Sequence, residues 1–183
     1  MAYTSCRNAL AGNIAPDCAN PGKEEFTGEG VIIDVTTTPA TIERDQTNPR
    51  KITNLTPAQG TTPFAVDNVL RDPFSGSNTA LNTEGGRDTY DNTLNMRVPN
   101  VDADKAKDVV EPLTTGRFIG VFPTTKGKCI VLGVDGVFRA NAVTWNPAEN
   151  DGDALVTMAS NEPYMRVECD LTLFNTLKGL TPA

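Results

Sequence analysis

The chain has 183 residues, a formal net charge of −7 and no histidine, and 38% of its residues are hydrophobic. Because an acidic surface repels phosphates, tight binding to nucleic acid is not expected. The absence of histidine removes the commonest general base, the commonest metal ligand and every nucleophile that depends on an imidazole. We therefore expect no catalytic residues, no metal site and no cofactor.

The first part of the chain gives few structural signals. Residues 1–30 have no sustained periodicity and are predicted to form an N-terminal arm. No run of about twenty apolar residues would span a membrane, and no secretory signal opens the sequence, so we expect no membrane partner and synthesis in a cytoplasm. With 15 glycines and 13 prolines among short apolar runs, residues 31–183 are predicted to form one mainly β domain.

Short strands are predicted along the next part of the chain, at Val31–Val35, at Lys51–Leu55 and, with a weaker pattern, at Phe64–Leu70. Residues 56–88 form a long loop with many turn residues. Such a loop is unusual inside a compact domain, so it is either a hairpin or functional loop held by a partner, or a mobile surface loop.

The clearest prediction is a strand followed by a helix. Thr89–Val98 alternates in polarity as a half-buried strand does. Asp102 is positioned to cap a helix at about 102–113, whose apolar stripe is expected to pack on a sheet through Ala106, Val109 and Leu113. This is the only helix that the pattern supports, and an aspartate at Val109 is expected to prevent folding.

Five further strands are predicted after the helix, arranged as a meander. The last of them, which includes Phe174, has the cleanest alternation, and Trp145 is expected to lie in the core. The predicted ranges are Arg117–Phe122, Lys128–Val134, Val137–Trp145, Ala154–Ser160 and Tyr164–Phe174.

The four cysteines fall into two pairs. Cys129 and Cys169 lie within strand patterns and are expected to be core residues, because free cysteine is often buried. Cys6 and Cys18 lie in an irregular segment, where a local bridge or a metal half-site is conceivable. Since a zinc site needs four ligands and the chain has no histidine, a reduced, structural role is preferred for them.

Two groups of acidic residues are candidate chemical sites. Glu149, Asp151 and Asp153 stand at alternate positions and would suit a hard cation, but their spacing does not match a calcium loop. Glu168 and Asp170 suggest a glycosidase pair, although two acids on one strand are more often a solvated face. The ordinary structural interpretation is preferred for both groups.

Three segments are similar to proteins of long-tailed phages. Gly116–Phe122, Val131–Val137 and Asp151–Pro163, together with Asn48–Leu55 and the short polar segment that holds Cys6 and Cys18, resemble the major tail (tail tube) proteins of phages that infect Bacteroidetes. The resemblance implies a β-sandwich or β-barrel of antiparallel strands with one flanking helix. It also implies a structural role: hexameric rings that stack into a tube, built with other virion proteins in the host cytoplasm, through which DNA passes.

Subunit contacts are expected because the arm and the long loop are long and have too little apolar periodicity to order themselves, and an acidic lumen is expected from the charge if the chain is a tube subunit. The arm or the long loop is expected to contact a neighbouring subunit, with Cys6, Cys18, Phe64 and Phe74 as candidate interface residues. An acidic lumen would let DNA slide without a binding minimum. The candidate lumen residues are Asp151, Asp153, Glu168 and Asp170.

Two alternatives remain open at the level of sequence. The long first third departs from the tail tube pattern, which leaves another virion component, such as a head decoration, neck or ring protein. A carbohydrate-binding or hydrolytic β-sandwich module is the other alternative. Such a module needs exposed aromatic residues, and the expected burial of Tyr90 and Trp145 argues against it.

Overall fold

Eleven strands and two helical stretches lie in the part of the chain that the computed structural model describes, which is residues 24–68, 74–84, 88–147 and 152–182. The strands are β1 (Glu29–Asp34), β2 (Thr41–Arg44), β3 (Lys51–Thr56), β4 (Phe64–Asp67), β5 (Asn78–Asn82), β6 (Thr89–Val98), β7 (Phe118–Pro123), β8 (Lys128–Leu132), β9 (Arg139–Trp145), β10 (Ala154–Glu162) and β11 (Glu168–Asp170). Helix α1 runs without a break through Ala103–Lys105, Ala106–Val110 and Glu111–Thr115, and helix α2 is Leu171–Lys178.

The strands form two sheets, so the mainly β fold predicted from the sequence is confirmed. The seven-stranded sheet has the order β2-β3-β11-β8-β7-β1-β4, and the four-stranded sheet has the order β5-β6-β10-β9. Neighbouring strands are antiparallel except β3 and β11, which are parallel. The architecture is therefore a two-sheet sandwich and not a closed barrel.

The main core lies between the two sheets. On β6, alternate residues such as Leu94 and Met96 are buried and pair with the buried side of β10, as the predicted alternation requires. Phe122 and Phe138 are fully buried and lie edge to face, with ring centroids 6.3 Å apart. Such aromatic pairs add to the stability that their buried area provides, and they join the sheets through their side chains.

A second helix, α2, covers part of the other face of the seven-stranded sheet. Its presence corrects both the prediction of a single helix and the prediction of the last strand. Tyr164–Phe174 was expected to be a strand, but only Glu168–Asp170 is extended and the chain then turns into α2. Phe174 and Leu177, three residues apart on the helix, are 2% and 1% exposed against the second core. The burial of Phe174 and Leu177 on one side of a helix therefore outweighs the alternating pattern that predicted a strand.

Helix α1 follows the prediction at its start and departs from it in its middle. The carboxylate of Asp102 accepts a hydrogen bond from the Lys105 amide at 2.8 Å, which confirms the cap. Ala106–Val110 forms a π-helical turn, and its wider spacing buries Val110 and Leu113 but leaves Val109 40% exposed. The expected burial of Val109 is wrong, and an aspartate at this position is now expected to be compatible with folding.

The predicted arm and long loop both contain ordered structure within the described residues. β1 begins at Glu29, and Phe26 packs against the ring of Phe122, so residues 24–30 belong to the sandwich. β4 pairs with β1 and β5 pairs with β6, so the segment 56–88 is not one hairpin. It instead contributes one edge strand to each sheet.

The predicted meander is only partly correct. β7 and β8 form the expected hairpin, but β9 pairs with β10 in the opposite sheet. The turn between β8 and β9 therefore crosses from one sheet to the other. Gly133 lies in this turn with φ +85°, a conformation that favours glycine.

Candidate functional site

The first surface feature of interest is the edge strand β9. It pairs with β10 on one side, and no other described strand pairs with it. Val143 and Trp145 stand opposite Val156 and Ala154, which are each 1% exposed, yet they are themselves 38% and 56% exposed. The described part of the chain therefore leaves the core-facing side of β9 partly uncovered. The expected burial of Trp145 is wrong.

An irregularity in the pairing of β9 with β10 explains this exposure. The register shifts between Thr157 and Met158, so Ala140 and Val143 come to the same side of the sheet although they are three residues apart. Ala140 is buried next to α1, whereas the end of β9 continues past the core. Bulges of this kind often re-aim side chains at sheet edges.

A groove lies at the opposite edge of the four-stranded sheet, between β4, β6 and α1. It has a volume of about 270 Å³. Ile32, Val98 and Leu113 lie at its apolar interior, and the exposed residues Phe64 and Val109 stand at its rim. We call it the β4–β6 groove.

The candidate interface residues have different positions. Phe64 is 56% exposed on the rim of the β4–β6 groove, and its proposed role in an interface stays a prediction. Phe74 is 3% exposed and packs edge to face on Phe26 and Phe122, at 5.4 and 5.2 Å between centroids. It is a core residue, and its assignment to a subunit interface is corrected. Cys6 and Cys18 lie outside the described residues.

The candidate lumen residue Asp153 does not reach the surface. It is 1% exposed and accepts a hydrogen bond from the Asn100 amide at 3.1 Å, and a guanidinium nitrogen of Arg97 lies 3.9 Å from its carboxylate. A buried carboxylate held in this way supports the turn before α1, so its assignment to a lumen is corrected. Asp151 and Glu149 lie outside the described residues.

Glu168 and Asp170 lie on β11 in the other sheet, so the structure does not bring them together with Asp153. Lys128 binds Asp170, and this hydrogen bond lowers the pKa of the Asp170 carboxyl below its usual value. Arg166 binds Glu168 at 3.2 Å. Basic partners therefore offset both charges, and the arrangement supports neither a glycosidase pair nor a strongly acidic wall.

Arg166 also holds the start of the described chain. Two of its guanidinium nitrogens donate to the carboxylate of Glu24, each at 2.7 Å. This hydrogen bonding lowers the pKa of Glu24 to about 2. Bidentate pairs of this kind fix geometry as well as charge. The pair thus ties Glu24 to the segment before β11.

The outer face of the four-stranded sheet is polar and nearly neutral. Thr157 donates to the Asn95 side-chain oxygen at 2.9 Å, and the Asn161 amide donates to Asp91 at 2.6 Å. Thr93 stands between them on the same face. Helix α2 packs on the seven-stranded sheet, whereas the outer face of the four-stranded sheet consists mainly of hydroxyl and amide groups.

Cys129 and Cys169 are core residues, as predicted. They stand directly opposite each other on β8 and β11, are 0% and 3% exposed, and are both free thiols. Hydrogen bonding to the Cys129 sulfur and burial raise the pKa of the Cys169 thiol, so that it stays protonated. Within the described residues there is no cluster of three or more cysteine and acidic side chains that would hold a metal ion.

Glu162 is a buried polar residue that the sequence did not reveal. It is 1% exposed, and one carboxylate oxygen accepts hydrogen bonds from the Gly133 amide at 2.6 Å and from the Ser160 hydroxyl at 2.8 Å. Burial raises the pKa of Glu162. The residue fixes the turn that crosses between the sheets, and no local pattern distinguishes it from a surface glutamate.

Replacing Glu162 with glutamine is expected to change how stability depends on pH. Because the folded-state pKa is raised, the contribution of Glu162 to the free energy of unfolding should fall as pH rises from the ordinary carboxyl value through the folded one. Glutamine keeps an accepting oxygen but does not titrate. The stability of the variant relative to wild type should therefore increase as pH rises above the ordinary carboxyl value, measured by denaturant melts at a series of pH values. Parallel pH profiles would contradict this assignment.

No helix in the described ranges has the length and apolar character that crossing a membrane requires. Sequence reasoning missed the uncovered β9 edge, although the single charge in this strand, on Arg139, was an available signal.

Comparisons of the chain with protein-family models, with curated proteins and with solved structures found no match.

Proposed function

We propose that the chain is a structural subunit that assembles with copies of itself into rings and a tube, as the tail tube proteins it resembles do. The observation that carries this proposal is the uncovered edge of β9. Natural edge strands are normally short, charged or covered, because an open apolar edge pairs with other chains. β9 has seven residues, one charge, and two large apolar side chains at 38% and 56% exposure.

The physical argument is one of incomplete burial. Val143 and Trp145 face the side of the sheet on which the core lies, so covering them requires an element from outside the described chain. An indole offers a large contact area and is enriched at the energetic centres of interfaces. Self-association supplies such an element in every copy and leaves no copy uncovered when a ring closes.

The proposed conduit role rests on the outer face of the four-stranded sheet and not on the acidic residues that the sequence suggested. The acids on β11 are paired with basic residues, and Asp153 is buried. The outer face of the four-stranded sheet consists mainly of hydroxyl and amide groups, such as those of Thr93, Asn95 and Thr157. Asp91, Arg97 and Arg139 add charges of both signs to it. This face gives phosphates few cationic partners, so DNA would pass without a strong binding minimum. In this proposal the subunit works in the virion tail after assembly in the host cytoplasm, alongside other virion proteins.

A second candidate is a carbohydrate-binding module, which the exposure of Trp145 favours. An exposed indole stacks on sugar rings. Polar groups beside the ring would be needed to bind sugar hydroxyls, and its neighbour on the same side of β9 is the apolar Val143. This combination suits a protein contact better than a sugar contact. Binding to a glycan array that is lost in Trp145→Ala would favour the module.

Electron microscopy combined with sedimentation over a wide range of concentration tests the proposed function. We expect the purified chain to form rings that stack into tubes. Rings that never stack would favour a neck, ring or decoration role. A chain that remains monomeric at the highest concentration, with β9 intact, would contradict the proposal.

A further inference from the structure

The β4–β6 groove is bounded by two strand edges. Five consecutive residues, 64 to 68, line one wall, and four consecutive residues, 96 to 99, line the other. Since side chains alternate along a strand, a groove that contacts every successive residue runs along the edge of the strand and not along one face. β4 ends its sheet, and β5 pairs only with the first half of β6. Both edges are therefore without a neighbouring strand in the described part of the chain.

Only part of the exposed backbone along these edges is satisfied by local side chains. The Arg97 amide donates to the side-chain oxygen of Asn68 at 2.7 Å, and the Asn95 amide donates to the Ser77 hydroxyl at 2.9 Å. The side-chain nitrogen of Asn68 is buried and has no hydrogen-bond partner. A buried amide without a partner costs free energy, so the hydrogen bonding behind this wall of the groove is incomplete in the isolated chain.

The volume of the groove limits what it can hold. At about 270 Å³ it is smaller than the usual site for a drug-sized ligand or an organic cofactor. It fits one or two apolar side chains presented by an extended backbone. Phe64 and Val109, at 56% and 40% exposure, would be covered by such an insertion.

The charged residues around the groove are mainly acidic. Among the described residues, Asp34, Asp67, Asp108 and Arg97 line it. The side of β9 that carries Val143 and Trp145 brings no acid to this groove, since the one charge of the strand, on Arg139, lies opposite Ala159 on the other side of the sheet. The two surfaces also lie on opposite sides of the four-stranded sheet. The groove lies beside β6, near one edge of the sheet, and β9 forms the other edge. This placement suits a head-to-tail contact, in which one copy's edge enters the next copy's groove.

We propose that the β4–β6 groove of one subunit receives the Val143 and Trp145 side of β9 from a second copy of this chain. This inference rests on the proposed self-assembly and adds the two surfaces that meet. Strand edges add backbone hydrogen bonds, and the inserted side chains give the contact its specificity. Because each copy carries one donor edge and one acceptor groove, the contact propagates until a ring closes.

A pair of complementary variants tests this contact. Trp145→Asp damages the donor edge, and Val109→Asp damages the acceptor groove, both at exposed positions. Each variant alone is expected to fold and to self-associate about 30-fold more weakly than wild type, or worse. A mixture of the two retains one intact edge and one intact groove. It is expected to form a dimer of twice the 19.6 kDa chain mass and nothing larger.

Met165→Asp is the matched control, since Met165 is 62% exposed and lies in neither surface. This variant should assemble as wild type does. Circular dichroism and thermal melting establish that all three variants are folded. Sedimentation velocity then gives the masses of the single variants and of the mixture.

The outcomes separate this inference from the proposed function. If wild type forms tubes and Val109→Asp does so equally well, the groove is not the acceptor, but the tube proposal stands. If the mixture gives the dimer while wild type forms chains or rings that never become tubes, the contact is established and the tube role fails. Dimers in Val109→Asp alone would indicate that β9 pairs with itself, which overturns the inference.

Discussion

Replacing Gly133 with alanine is expected to cost about 4 kcal/mol or more of the free energy of unfolding, which is a large fraction of the roughly 5–15 kcal/mol that stabilises an ordinary domain. Gly133 has φ +85°, and a β-carbon there would lie 2.2 Å from the carbonyl oxygen of Phe118 and 2.6 Å from the β-carbon of Phe138. Both neighbours belong to the contact between the sheets, so neither can move without disturbing the core. Denaturant melts measure the loss.

Gly127→Ala provides a control with a similar backbone and no crowding. Gly127 has φ +72° in the hairpin between β7 and β8, and a β-carbon there would have no heavy atom within 4 Å. It should cost only the conformational penalty, about 1–2 kcal/mol. Equal losses in the two variants would show that backbone conformation, and not contact between the sheets, makes Gly133 necessary.

Placing lysines on the outer face of the four-stranded sheet is expected to make assembled tubes retain DNA. Thr93→Lys combined with Thr157→Lys adds two cations per subunit to a face that is mainly hydroxyl and amide. Repetition around a ring would multiply their effect. Because this attraction depends on counterion release, most of the retention should disappear between about 50 and 200 mM salt.

The control for this prediction replaces the same two residues with glutamine, which has comparable length and no charge. Fluorescence anisotropy of labelled DNA with assembled wild-type and variant tubes measures the retention. Lysine tubes that bind no more DNA than glutamine tubes would show that this face does not line a lumen. In virions, the lysine pair is expected to slow genome ejection for the same reason.

Local patterns were sufficient to predict much of the framework. Thr89–Val98 and Arg117–Phe122 are found as β6 and β7 because their residue patterns match the sides that are buried. The cap at Asp102 depends only on residues close to it in the sequence. The burial of Cys129 follows from the consistent apolar run in which it lies. In such segments, local preference and tertiary environment favour the same structure.

The sequence by itself determined that this protein is mainly β, acidic, without histidine, and built from short strands around one strand-helix-strand unit. Only the tertiary structure decided which strands share a sheet, that residues after Asp170 turn into a helix, and that Val109 and Trp145 face outward while Glu162 and Asp153 are buried. The reason is that sheet order, a π turn and a shifted register depend on contacts between residues far apart in the chain. A periodic pattern shows which side of an element is apolar, but the packing of the sheets determines whether that side is covered.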